Sequence, residues 1–164
     1  HVYSTMCICW GAQAALYYHY GIKKYPLKEK LFGIYPLKID IRHTMLLRGF
    51  DEVFNMPQSR HTEVRAEDIK KVDELEIIAY SKEAGISIVC SRDKRNIFIM
   101  GHLEYDRMTL AKEDERDIND VSKKPVFVWR AHANLLFSNW INHHVYQGTP
   151  YDLTTLRNTS DSQI

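Results

Sequence analysis

The 164 residues predict an α/β domain, and three features carry that prediction. Residues 2–8 are apolar and β-prone, and they run directly into a helix-compatible stretch, residues 11–20, closed by Gly21. Short β-prone runs then fill the middle of the chain. Near the end, Trp129, Ala133, Leu136, Phe137, Trp140, Ile141 and Val145 recur at helical spacing, a stripe that reads as core packing. A chain of this length that is 45% hydrophobic and 12% aromatic has material for one domain with a real core.

Lys and Arg number 22 against 21 for Asp and Glu, a net charge of +1, so no bulk field favours nucleic acid or an anionic membrane. Any anionic ligand must be held by a local cluster. Three cysteines without a Cys-x-x-Cys spacing make neither a disulfide framework nor a zinc finger, which fits a cytoplasmic location. The apolar runs are too short to span a membrane, and no signal peptide is legible. The chain opens with His1 almost directly into a strand, which predicts a piece of a longer polypeptide or a processed chain.

After the first helix, residues 22–30 read as a loop, because Pro26 and the absence of an apolar stripe deny them a helix face. Lys23, Lys24, Lys28 and Lys30 there suit a solvated basic loop, or a contact to phosphates or carboxylates. Lys30 directly precedes the strand-like residues 31–36, which would fix its stem and aim its ammonium. Residues 39–41, 45–47 and 52–54 read as short β pieces around a turn at Gly49, and residues 56–63 as a polar surface loop. A short helix over 66–72 and a buried strand over 75–80 follow. Residues 86–90 and 97–100 flank a polar turn as a β-hairpin, and the second strand delivers Gly101 and His102 at its end. A charged helix spans 109–119, residues 120–125 interrupt it, and the chain turns polar from Thr149 onward.

Cys9 sits where strand becomes helix, the position of a nucleophile. A sharp turn there lifts the side chain out of the sheet, and the following N–H groups and helix dipole favour a thiolate and a developing oxyanion. An apolar run equally accommodates a cysteine as a small, inert hydrophobe. His102 and Glu104, two residues apart just past a strand, supply what would decide between the two readings. Together with Cys9 they make a nucleophile, a base and a carboxylate that orients the base. A zinc-deaminase reading of His102 and Glu104 fails because no Pro-Cys-x-x-Cys follows, and His143 and His144 diverge around a helix, so no metal site is expected.

In Ile8-Cys9-Trp10-Gly11-Ala12-Gln13, Leu47-Arg48-Gly49-Phe50-Asp51, Ser59-Arg60-His61, Gly101-His102-Leu103-Glu104-Tyr105-Asp106 and Leu136-Phe137-Ser138-Asn139-Trp140, the sequence resembles the homoserine O-acyltransferases, also called homoserine O-succinyltransferases. The likeness covers residues 1–153, leaving 154–164 as a polar tail. It implies a flavodoxin-like, three-layer α/β sandwich of class I glutamine amidotransferase type, with the N-terminal part of the family domain absent. That part would carry the first strands, a further piece of the oxyanion hole and a residue discriminating acetyl from succinyl donors. The family's usual Pro is Leu103 here, which predicts a looser turn behind Glu104, and the 120–126 loop is shorter than the family's.

The resemblance further implies that Cys9 becomes an acyl-thioester, His102 accepts the proton and Glu104 orients it. Lys30 and Ser59 would line the substrate site, Arg116 would bind the amino acid's carboxylate, and the Trp10 backbone N–H is the candidate oxyanion donor. The partners implied are L-homoserine and acyl-CoA, acetyl-CoA slightly before succinyl-CoA, in methionine biosynthesis, with no bound cofactor and room for a homodimer. Two rivals keep the same residues. One is a glutamine amidotransferase forming a glutamyl-thioester, against which Trp10 stands where amidotransferases usually place a smaller residue. The other is a non-catalytic fragment that packs against another chain through the exposed strand at residues 2–8.

Overall fold

Side chains on successive residues of a strand point to opposite faces, so a sheet between two helical layers needs apolar residues at every position. Residues 97–100 meet that need. Ile97 and Ile99 join a core cluster with Ile78, Ile88, Trp129 and Leu136, while Phe98 and Met100 join another with Ala12, Leu16, Ile69 and Val89. In a computed structural model that describes residues 2–40, 44–118 and 126–150, and side chains within these except 114–118, the two clusters lie on the two faces of one sheet.

The elements are β1 (Thr5–Ile8), α1 (Trp10–Tyr20), β2 (Tyr25–Ile39), a 3₁₀ turn (Met45–Leu47), β3 (Val53–Glu63), α2 (Ala66–Ile69), β4 (Leu75–Ser81), β5 (Gly85–Ser91), β6 (Asn96–Ile99), α3 (Arg107–Ile118) and α4 (Arg130–Asn139). A π-helical segment, Trp140–Tyr146, continues α4. The six strands form one mixed sheet in the order β1-β6-β5-β4-β2-β3. β1 runs parallel to β6, with Ile8 opposite Ile99, and the remaining pairs are antiparallel. Both α1 and α2 feed the cluster on one face, and α3, α4 and the 3₁₀ turn feed the other, which makes the α/β, three-layer arrangement expected from the sequence.

Two stretches read as loops are strand. Residues 25–30 belong to β2, and residues 56–63 belong to β3. β2 pairs with β3 along its length, whereas only Lys38 and Ile39 pair with β4, so most of β2 has an open side on which Pro26 and Pro36 are tolerated. The register shifts between Pro26 and Leu31, an irregularity that places Lys30 just before the ladder resumes at Leu31 opposite Arg60. Residues 45–47 form the 3₁₀ turn rather than a β piece, capped by the Thr44 side chain, which accepts from the Leu46 N–H at 3.4 Å. Of the predicted stripe on α4, Trp129, Ala133 and Leu136 are buried, but Ile141 is exposed, because the π-helical winding rotates it away from the core. The 154–164 tail and residues 119–125 lie outside the described residues. Among those described, no helix is long and apolar enough to cross a membrane.

Candidate active site

The parallel pairing of β1 with β6 brings two strand ends together, and each end carries one reactive group. Cys9 follows β1 directly, with its N–H donating to the Ile99 carbonyl at 2.7 Å. Its backbone sits at φ 51°, ψ −116°, a left-handed conformation that a side chain adopts only when its surroundings impose it. The strain is the signature of a sharp strand-to-helix turn. α1 begins at the next residue and ends at Gly21 in the αL conformation, as the sequence predicts. The Trp10 N–H, at the first position of α1, belongs to the helix-opening donors that have no intrahelical acceptor.

His102 lies beyond β6 and is held by its own N–H donating to the Pro57 carbonyl at 2.8 Å. Gly101 makes that approach feasible, since a Cβ there would stand 2.5 Å from the Pro57 carbonyl oxygen and 2.6 Å from both Gln58 Nε2 and Met56 Sδ. His102 Nδ1 lies 2.7 Å from Glu104 Oε1, which leaves the opposite ring nitrogen for Cys9. Burial pulls the imidazole down, but hydrogen bonds to Cys9 and Glu104 and their negative charges outweigh it, lifting its pKa from 6.5 to about 9. Leu103 is buried in the core cluster that also holds Leu110 and Trp129, so an apolar anchor precedes Glu104.

The other two thiols offer no competing nucleophile. Burial pushes the Cys7 thiol up and the Cys90 thiol to about 12, leaving neither ionised near neutrality. Cys9 is the cysteine that faces a histidine.

Ser59 reaches the same corner through its backbone carbonyl, and Lys30 lies on the neighbouring strand over the Phe32 ring. The Cys9 thiol donates to the Ser59 carbonyl at 3.7 Å, Ser59 pairs with Phe32, and Lys30 Nζ lies 4.9 Å from the Phe32 ring centroid. Arg116 lies on α3, and its side chain is outside the described residues.

Three supporting residues escape sequence reasoning. The Tyr105 ring stacks on His102, with centroids 4.1 Å apart and planes 21° off parallel. Its hydroxyl donates to Glu113 at 2.9 Å, and its carbonyl accepts from Trp129 Nε1 at 2.8 Å. Arg60, 4% exposed, donates to Gln58 Oε1 at 3.1 Å, to the Thr62 carbonyl at 2.8 Å and to the Ala84 carbonyl. Burial lowers its pKa, and the charges of Glu63 and Cys9 oppose that, so a buried cation lies within electrostatic reach of the sulfur. Gln13, buried on α1, exchanges hydrogen bonds with Thr62, its Oε1 accepting from the hydroxyl at 2.5 Å and its Nε2 donating to the carbonyl at 3.1 Å. The one signal for Arg60, Tyr105 and Gln13 was their place inside the motifs that carry the family resemblance, beside Ser59, beside Glu104 and on the helix that follows Cys9. Among the described residues, no group of three or more His, Cys, Asp or Glu could hold a metal ion.

The profile of the homoserine O-succinyltransferase family matches residues 1–151. The chain belongs to that family. It is 57% identical over 172 aligned positions to a homoserine O-acetyltransferase of Acetivibrio thermocellus, covering 96% of this chain and 56% of that protein. A homoserine O-acetyltransferase of Brevibacillus brevis is 53% identical, covering 93% of this chain and 55% of its own length. The chain thus spans a little over half the length of these relatives. Among solved structures, a glutamine amidotransferase from Thermotoga maritima superimposes with a TM-score of 0.62 at 16% identity, over 84% of this chain and 60% of that one. That likeness identifies the fold as class I glutamine amidotransferase-type.

Proposed function

We propose that the chain carries the acyl-transfer centre of an acyl-CoA:L-homoserine O-acyltransferase in methionine biosynthesis, with acetyl-CoA as donor. The observation that carries the reading is Cys9 in a strained strand-to-helix turn, facing a histidine whose other nitrogen is bound by Glu104. Family membership supplies the substrate class, and the acetyltransferase relatives favour the acetyl donor. Residues 1–153 form the catalytic part and residues 154–164 a tail. Free Cys7, Cys9 and Cys90 suit a cytoplasm that keeps thiols reduced.

His102 changes role during the cycle. The imidazole takes the Cys9 thiol proton and holds it as the sulfur attacks. The sulfur attacks the thioester carbonyl, a C–S bond to Cys9 forms, the C–S bond to CoA breaks, and the CoA sulfur leaves with the proton from His102. The acylated sulfur no longer carries a charge, so one cause of the raised pKa is gone and the imidazole becomes a base. It takes the proton of the homoserine hydroxyl as that oxygen attacks the Cys9 thioester. The product ester leaves, and the thiolate and imidazolium return. The Trp10 N–H would stabilise both tetrahedral oxyanions, Lys30 and Ser59 would shape the substrate pocket, and Arg116 would hold the homoserine carboxylate.

Intact-protein mass after mixing with acetyl- or succinyl-CoA tests the reading. An acetyl adduct absent from Cys9→Ala is expected. A succinyl adduct would reverse the donor, and no adduct, with glutaminase activity above the Cys9→Ala control, would replace the reading by amidotransfer.

A further inference from the structure

Lys23 and Lys24, just after α1, find no use in the chemistry above. A cavity of about 660 Å³ opens beside the nucleophile turn, bounded by Trp10, Ala14, Tyr17 and Tyr18 of α1 and by Lys23 and Lys24 beyond its end. A cavity of this size suits a small-molecule ligand. Its walls are unusual for surface: Trp10 is 68% exposed, Tyr17 62% and Tyr18 82%. Among the described residues, no carboxylate lines it and neither lysine is in an ion pair. The Lys24 ammonium stands 5.9 Å from the Trp10 ring centroid, so flat aromatic faces and cationic heads already lie side by side.

Resting on the acyl-CoA reading, we infer that this cavity is the seat of the nucleotide end of coenzyme A, with the adenine on the α1 aromatics and the phosphates on Lys23 and Lys24. The geometry fits the ligand's length. Trp10 adjoins Cys9, and Tyr17 and Tyr18 lie about 11–12 Å further along the helix axis at 1.5 Å per residue, a span that the pantetheine arm bridges. The thioester would then reach Cys9 while the adenine stays on Tyr17 and Tyr18, and Lys24, beside the Trp10 ring, meets the phosphates between them. The two ammoniums supply the attraction for the anion, so binding is strongly salt-dependent.

Calorimetric titration with coenzyme A and with pantetheine tests this directly. The expected result is that Lys23→Glu/Lys24→Glu weakens coenzyme A binding tenfold or more, that Tyr18→Ala weakens it severalfold, and that pantetheine affinity changes in neither. In Cys9 acylation, the rate ratio of acetyl-CoA to S-acetylpantetheine should fall by the same factor in the double variant. Unchanged coenzyme A affinity in the double variant, equal losses for both ligands, or no coenzyme A binding by the unaltered chain would overturn the inference. A chain that binds coenzyme A through these lysines but is never acylated at Cys9 keeps the nucleotide site and removes the acyltransferase reading. One that is acylated at Cys9, with affinity indifferent to the lysines, does the reverse.

Discussion

His102 is the residue on which the site's behaviour turns, because its charge depends on two neighbours that can be removed separately. Cys9→Ala and Glu104→Gln should each bring its pKa down from about 9 towards the ordinary 6.5, as read by NMR titration of the imidazole C–H signals. The same raised pKa makes a prediction for stability. A histidine whose folded pKa exceeds its unfolded value stabilises fully below about pH 6.5, and that contribution is lost as the pH rises through about 9. The difference in urea midpoint between the unaltered chain and Glu104→Gln should therefore be largest near pH 6 and shrink towards pH 10. A difference that grows with pH would refute the assignment. Gly101 supports His102 from behind, and Gly101→Ala would drive a Cβ into the Pro57 carbonyl and the Met56 and Gln58 side chains. A loss of roughly 2–3 kcal/mol is expected from overpacking, measured by denaturant unfolding, together with slower acylation of Cys9.

At the scale of elements, what the sequence discloses depends on whether a segment's partners leave a periodic trace. The β1–α1 turn was legible because a strand signal, a helix signal and Gly21 are all local. β4, β5, β6 and the intervening polar turn were legible for the same reason, with Ser91 accepting the Asn96 N–H at 2.9 Å and Lys94 at φ 62°. β2 and β3 were not. Prolines and lysines break the pattern of β2, and β3 buries polar residues that a hydrophobicity pattern assigns to solvent. Arg60 is the extreme case: its guanidinium binds Gln58 and Thr62 within β3 and the Ala84 carbonyl before β5. Arg60→Leu should cost about 2–4 kcal/mol, since it leaves those buried acceptors without a donor. A shift of the urea midpoint corresponding to less than about 0.5 kcal/mol, within the range of an unremarkable surface change, would show that water replaces the guanidinium.

Across the whole molecule, the two core clusters explain why an α/β domain could be read from apolar runs and helical spacing, whereas the three-layer arrangement came only with the family resemblance and the strand order not at all. Nothing in residues 2–8 announces that they pair with residues 96–99, because a parallel partner found that far along the chain shares no turn with them. The α4 layer is fastened by side chains that sequence patterns also do not show. Asn139 donates from Nδ2 to the Leu46 carbonyl at 3.0 Å and the Arg48 carbonyl at 2.8 Å, and Trp140 Nε1 donates to Ser4 Oγ at 3.0 Å. Asn139→Ala should lower the melting temperature by several degrees, as about 1–3 kcal/mol for the buried Leu46 carbonyl left without its donor implies, the part-buried Arg48 carbonyl adding less.

The seam between β1 and β6 also governs when the chain acquires its reactivity. Cys9 and His102 meet only after a loop of about ninety residues has closed, and closure of that kind follows the local hairpins in time. In a refolding experiment, thiol-specific labelling of Cys9 would then serve as a clock: its imidazole-assisted rate should emerge in the slowest phase, after the secondary-structure signal of β4–β6 has settled. The warhead of this domain is armed last.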